Sequence, residues 1–119
     1  MQTFTFDDLM QLPGRYRGML LNKISGLKPA NLIGTKSKSG QTNLAIFNSV
    51  VHIGANPPYL GFILRPTTVE RHTYENIKEA GVYTINQITT GIHQQAHQTS
   101  AKYKRDLSEF EATGLTEYY

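Results

Sequence analysis

The sequence contains no cysteine. That excludes disulfides, thiolate zinc sites and a cysteine nucleophile, and it leaves the redox compartment open. No apolar run approaches the roughly eighteen residues that a membrane-spanning helix needs. The opening stretch, MQTFTFDDLM, is acidic and lacks the apolar core of a secretory signal, so the cytoplasm is the default expectation. Neither nucleotide fingerprint, GxxxxGK or GxGxxG, occurs. There is no GxSxG elbow, and nothing fixes a nucleophile beside a base. No segment repeats, and none is of low complexity.

What is present is ordinary globular material. The chain has 119 residues, 39% of them hydrophobic, which suits one domain over residues 1–119 with its own core. The net charge of +3 suits an anionic ligand and falls short of a nucleic-acid coat.

Local patterns give an outline. FDDLMQL reads as a short helical turn ended by Pro13 and Gly14. YRGMLLN and ANLIGTKS read as strands, the second running into the polar loop KSKSGQ. TNLAIFNSVV is a third strand, HIGANPP a loop broken by Gly54, Asn56 and two prolines, and YLGFIL a fourth strand, apolar enough to be buried on both faces. A helix follows from about Tyr74 to Ala80, with Thr73 as its N-cap and Gly81 as its stop. VYTINQI is a fifth strand. GIHQQAHQTSA and the acidic DLSEFEATG are short helices, the latter stopped by Gly114. The fold class expected is mainly β, a small barrel or sandwich with added helices. Five strands leave open edges, so either more of the domain or a second chain is expected to cover them.

One cluster stands out. Arg65 and Thr67 end the fourth strand, and Arg71, His72 and Thr73 stand directly before a helix start. Helix amides, hydroxyls and a forked guanidinium converging on one point are the parts of a phosphate site. The basic loop with Lys36, Ser37, Lys38 and Ser39 reads as a solvated hairpin tip. His93 and His97 share a helix face, but HQQAH lacks the glutamate of HExxH and a third ligand, so no metal is expected. The seven Tyr and five Phe are read mainly as core and interface.

The order of the pieces carries more than any one of them. TNLAIFNSVVHIGANPPYLGFILRP, then RHTYENIKEAGVYTINQI, then HQQAHQTSAKY, then SEFEATGLT resembles the flavin reductase-like family, the FMN-binding split barrel, in its flavoredoxin-type branch. The resemblance spans about Leu32 to Thr116. It implies a split β-barrel, of which this chain would be the N-terminal portion. It implies non-covalent FMN, with FAD second, and NAD(P)H as a possible electron donor. The ring would lie along Asn43, Leu44, Ala45, Ile46, Phe47 and Asn48. The phosphate would sit among Arg65, Thr67, Arg71, His72 and Thr73, with His97 and Ser100 near the ring or ribityl chain. It implies a homodimer, and no side chain acting as a catalytic acid or base; no nucleic-acid or membrane partner is expected, from the mild charge and the lack of a long apolar run. The function expected is an oxidoreductase passing electrons from a reduced nicotinamide through flavin to an acceptor. The alternatives are a non-redox binding module, for example for single-stranded nucleic acid, and a structural fragment that needs a partner chain to complete the barrel.

Overall fold

The computed structural model describes residues 1–118. At its centre, β1 (Asn31–Lys36) pairs antiparallel on one side with β2 (Thr42–Phe47) and on the other with β5 (Thr84–Gln87), giving the order β2–β1–β5. Asn31 stands opposite Phe47 and Gln87, and Ile33 opposite Ala45 and Ile85. Period-two alternation then sorts the side chains onto two faces. Leu32, Leu44 and Ile46 share the face that packs against α4 (His93–Gln98) and α5 (Glu109–Thr113), where Ala96, Ile92, Phe110 and Leu115 complete a small apolar core. Ile33, Thr35 and Asn43 share the opposite face, which is covered by α3 (His72–Ala80). Two buried amide–hydroxyl pairs fix α3 there: Asn76 Nδ2 donates to Thr35 Oγ1 at 3.1 Å, and Asn43 Nδ2 donates to Thr73 Oγ1 at 3.0 Å.

Gly34 sits mid-strand because no side chain fits. A Cβ there would lie 2.6 Å from Thr84 Oγ1 on the neighbouring strand. Gly34→Ala is therefore expected to cost on the order of 1 kcal/mol by overpacking. Thr84→Ala in the same chain should recover most of it, which a thermal-melt double-mutant cycle reads directly.

The fifth strand and the two later short helices are where the sequence places them, and the expected helix ending at Ala80 is present but begins at His72; other segments differ from the sequence reading. YRGMLLN is helical: α2 (Gly14–Lys23) follows α1 (Phe6–Gln11), the pair forming an N-terminal arm. Its Met, Leu, Arg and Lys residues are good helix formers with no β-branching, and propensity outweighed the short apolar run. Arg17 joins the two helices by donating from Nη1 to Met10 O at 2.7 Å. HIGANPP is largely strand. β3 (Val51–Ala55) and β4 (Pro58–Gly61) form a separate hairpin, with an irregularity between His52 and Gly54 and a cis Asn56–Pro57 bond at the turn. Pro58 opens an edge strand, where its missing N–H costs no ladder bond. The third strand correspondingly stops at Phe47, and Val51 begins the next one.

YLGFIL is not buried on both faces. Tyr59 is 59% exposed and Leu60 55%, and Val51, Ile53 and Ile63 are equally open. A two-stranded hairpin is marginal in water without cover. The arm is similar: neither α1 nor α2 contains a buried residue. The accessible surface is 9196 Å². A compact monomer of this mass would expose roughly 6,500 Å². The excess, about 2,700 Å² on that scaling, is comparable in size to the surface buried in a large interface.

Candidate functional site

Two segments of the chain meet beside β2. The chain leaves the β3–β4 hairpin through Arg65 and turns at Thr67, then enters α3 at His72. Alongside, α4 ends at Gln98 and the segment from Thr99 to Tyr103 follows. Between them and β2 lies an open groove of about 960 Å³. Eleven of the thirteen residues expected to hold a cofactor line it: Asn43, Ala45, Ile46, Phe47, Asn48, Arg65, Arg71, His72, Thr73, His97 and Ser100. Two do not. Leu44 is 2% exposed and belongs to the core face, and Thr67 lies in the exposed turn outside the groove.

The groove's floor is backbone. β2 is an edge strand of its sheet, so alternate N–H and C=O groups point away from β1. Leu44 N–H is one of these, and it donates to Glu109 Oε2 at 3.0 Å. Ile46 follows two residues later, and the same alternation aims its N–H and C=O from that outer edge.

One end of the groove is cationic. Arg71 Nε donates to Pro66 O at 2.9 Å, which holds the turn, and its terminal nitrogens have no partner among the described residues. Arg65 has no ion pair among them either. The acid on this rim, Glu70, is occupied: Arg105 Nη1 lies 3.3 Å and His72 Nε2 3.6 Å from its Oε1. Arg105 also reaches Glu75 Oε2 at 2.7 Å. Arg65 and Arg71 therefore line the groove without an ion pair among the described residues, although the carboxylates of Glu70 and Glu109 line it too.

The helix start is arranged differently from expectation. Arg71, not Thr73, is the N-cap residue of α3, and no side chain accepts a hydrogen bond from the first turn. Thr73 lies inside the helix, 6% exposed, and its oxygen accepts from Asn43. The first-turn amides of α3 are thus left without a side-chain cap, beside the terminal nitrogens of Arg71. Thr73 still lines the groove and keeps its hydroxyl proton. Thr73→Val should cost about 1–2 kcal/mol, because Asn43 Nδ2 would lose its acceptor in a buried place, and Thr73→Ser should be close to neutral. Chemical denaturation of the two variants checks this.

At the hairpin tip Ser37 Oγ and Ser39 Oγ are 2.8 Å apart, Gln41 N–H donates to Ser37 Oγ at 3.1 Å, and Lys38 N–H meets Glu79 Oε2 at 3.4 Å. These serines line a smaller polar pocket of about 190 Å³, separated from the groove by Asn43, His72 and Glu109. His93 Nδ1 is 2.6 Å from Thr90 O, while His97 faces the groove. No group of three potential metal ligands gathers among the described residues. Sequence reasoning missed Glu109, a nearly buried carboxylate that seats α5 on β2; its acidic neighbours made it look like an ordinary exposed helix residue.

Residues 27–118 match the model of the flavin reductase like domain. The chain belongs to that family, a group of flavin-related oxidoreductases, and its fold is that of the split barrel. It is similar, at 52% identity and a TM-score of 0.93, to a Shewanella frigidimarina NCIMB 400 protein described as a flavin reductase with a split barrel domain. That match covers all of this chain and 59% of the other. Flavoredoxin of Desulfovibrio vulgaris (Miyazaki F) is 25% identical with a TM-score of 0.66, over 75% of this chain and 47% of its own. The nitrilotriacetate monooxygenase component B of Bacillus cereus, at 20% identity and a TM-score of 0.81 over 98% of this chain and 56% of its own, shares the fold. The match thus spans only about half the length of these proteins, from 47% to 59%. Comparison with curated proteins gives no match.

Proposed function

We propose that the groove binds FMN and that the protein is a flavin-dependent oxidoreductase, taking electrons from a reduced nicotinamide and delivering them to an acceptor. The observation that carries this reading is the meeting of three features in one groove. These are an edge-strand backbone long enough for a flat ring, open first-turn amides of α3, and two arginines that make no ion pair among the described residues. A phosphate monoester suits that cationic end, with Arg65 and Arg71 supplying charge and α3 supplying amides. One phosphate is matched by one such end, which favours FMN over FAD.

When bound, the flavin supplies the hydride and electron chemistry. The chain's part is to hold and orient it. Ile46 offers backbone donor and acceptor groups along one edge, Phe47 offers apolar contact, and Thr73 offers a hydroxyl proton beside the phosphate end. His97 and Ser100 close the side formed after α4. No side chain is assigned as a catalytic acid or base.

The active form we propose is a homodimer in the cytoplasm, where reduced nicotinamides are kept. The uncovered hairpin and arm, with the surface excess noted above, support an extended interface. Nucleic acid and membrane are not proposed as partners, in keeping with the mild charge.

An absorption spectrum of the purified protein, before and after added FMN, tests the reading. Visible flavin bands that bleach with NADH or NADPH, with FMN identified by mass after release, are the expected result. A colourless protein that ignores added FMN would reject it in favour of a non-redox module.

A further inference from the structure

The groove has a second end, and the N-terminal arm stands there. β1 and β2 run antiparallel with Asn31 opposite Phe47, so Ala30 and the arm before it lie at the Phe47–Asn48 end of β2. Thr73, bonded to Asn43, marks the other end. Asn43 and Phe47 are four residues apart, about 13 Å along a strand. Two residues from the arm side line the groove, Asn22 of α2 and Ala30. With the phosphate at the arginine end, a flavin laid along β2 brings its ring toward Asn22.

Asn22 is exposed, and its side chain makes no hydrogen bond among the described residues. It is a polar side chain on a helix, α2, whose other open residues and C-cap are largely apolar or basic: Tyr16, Met19, Leu21 and Ile24, with Arg15 and Lys23. A carboxamide carries both a donor and an acceptor. The pyrimidine edge of an isoalloxazine alternates carbonyl and N–H groups, which a carboxamide can pair with and the dimethylbenzene edge cannot. We propose that the N-terminal arm forms the ring-end wall of the flavin site, with Asn22 hydrogen-bonding the pyrimidine edge. This rests on the flavin reading given above and extends it beyond the family domain, because the family match begins at residue 27 and Asn22 lies outside it.

The consequence is a division of labour that two ligands can separate. A ring-end residue acts on FMN and on riboflavin alike, whereas a phosphate-end residue acts on FMN alone. Fluorescence titration of the whole protein and of Asn22→Ala with each flavin tests this, with Arg71→Ala as the phosphate-end reference. The expected result is a three- to tenfold loss of affinity for both flavins in Asn22→Ala, the size of one neutral hydrogen bond. Asn22→Asp, which has lost the donor and gained a charge, should lose at least as much and shift the visible flavin bands. Both changes are at an exposed helical position, so the fold should be unaffected, and the melting temperature checks that. Unchanged affinity for both flavins would overturn the assignment of Asn22 and leave the flavin reading standing. A loss for FMN but not riboflavin would overturn it too, by putting Asn22 at the phosphate end. Failure of the unmodified protein to bind either flavin would remove the flavin reading itself, and the assignment with it.

Discussion

Replacing Arg65 and Arg71 together by alanine should lower the affinity for FMN by about 30- to 1,000-fold and leave riboflavin binding nearly unchanged. The range corresponds to about 2–4 kcal/mol, the sum of two charge-assisted contacts. The structure gives a reason to expect the upper part of it. Glu70, an acid on that rim, is already engaged by Arg105 and His72, and neither arginine makes an ion pair among the described residues. Removing both leaves the open amides of α3 and removes two of the three Arg and Lys side chains that line the groove, Lys102 being the third. Arg71→Lys should fall between the wild type and the alanine variant, because lysine keeps the charge but not the planar fork. It would also lose the Nε bond to Pro66 that holds the turn. Because the contacts are largely electrostatic and lie in an open groove, the effect should shrink with added salt. Titrating both flavins at two ionic strengths makes the test complete. Equal losses for FMN and riboflavin would mean that the arginines shape the groove rather than bind phosphate. No loss for FMN would place the phosphate elsewhere.

The residues of this groove could be named from sequence because the signals there are local. A strand running into arginines and then a helix start is contiguous in the chain, and the order of the later pieces resembled a known family. Contiguity misled where an apolar run has two possible explanations. YLGFIL is as apolar as a buried central strand, yet Tyr59 and Leu60 are open. An apolar run records that a surface needs cover, not whether the cover comes from the same chain. YRGMLLN failed for a different reason. Seven residues with a tyrosine and three large aliphatics satisfy a strand pattern, but unbranched side chains after Pro13 favour a helix. Thr73 shows the limit of capping rules. A threonine before a helix is a good cap by type, but its oxygen was claimed by Asn43, thirty residues earlier in the chain. No local pattern carries that. Glu109 was illegible for the same reason, since its partner is an amide on a strand 65 residues away.

That distant bond carries the second large prediction. Glu109→Ala should destabilise the protein by about 1.5–3 kcal/mol, and Glu109→Gln by much less. Leu44 is 2% exposed and its N–H points away from β1, so Glu109 Oε2, at 3.0 Å, is what satisfies it. An alanine leaves that amide buried with no acceptor, whereas glutamine keeps a carbonyl oxygen at nearly the same reach. The neighbouring contacts hold α5 in register for this bond. Ser108 Oγ accepts from Phe110 N–H at 3.3 Å and lies 3.1 Å from Thr42 Oγ1, and Thr113 Oγ1 donates to Glu109 O at 2.6 Å. The cost should appear as a melting temperature lower by on the order of 5–15 °C for the alanine variant. Ligand binding separates the two roles of the residue, because Glu109 also lines the groove. Glutamine removes a negative charge from the wall without removing the acceptor, so FMN affinity should stay level or rise in Glu109→Gln while the melting temperature is nearly kept. If alanine and glutamine lower the melting temperature equally, the hydrogen bond to Leu44 is not what seats α5, and packing of Phe110 and Leu115 against Leu44 and Ile46 must hold that helix instead.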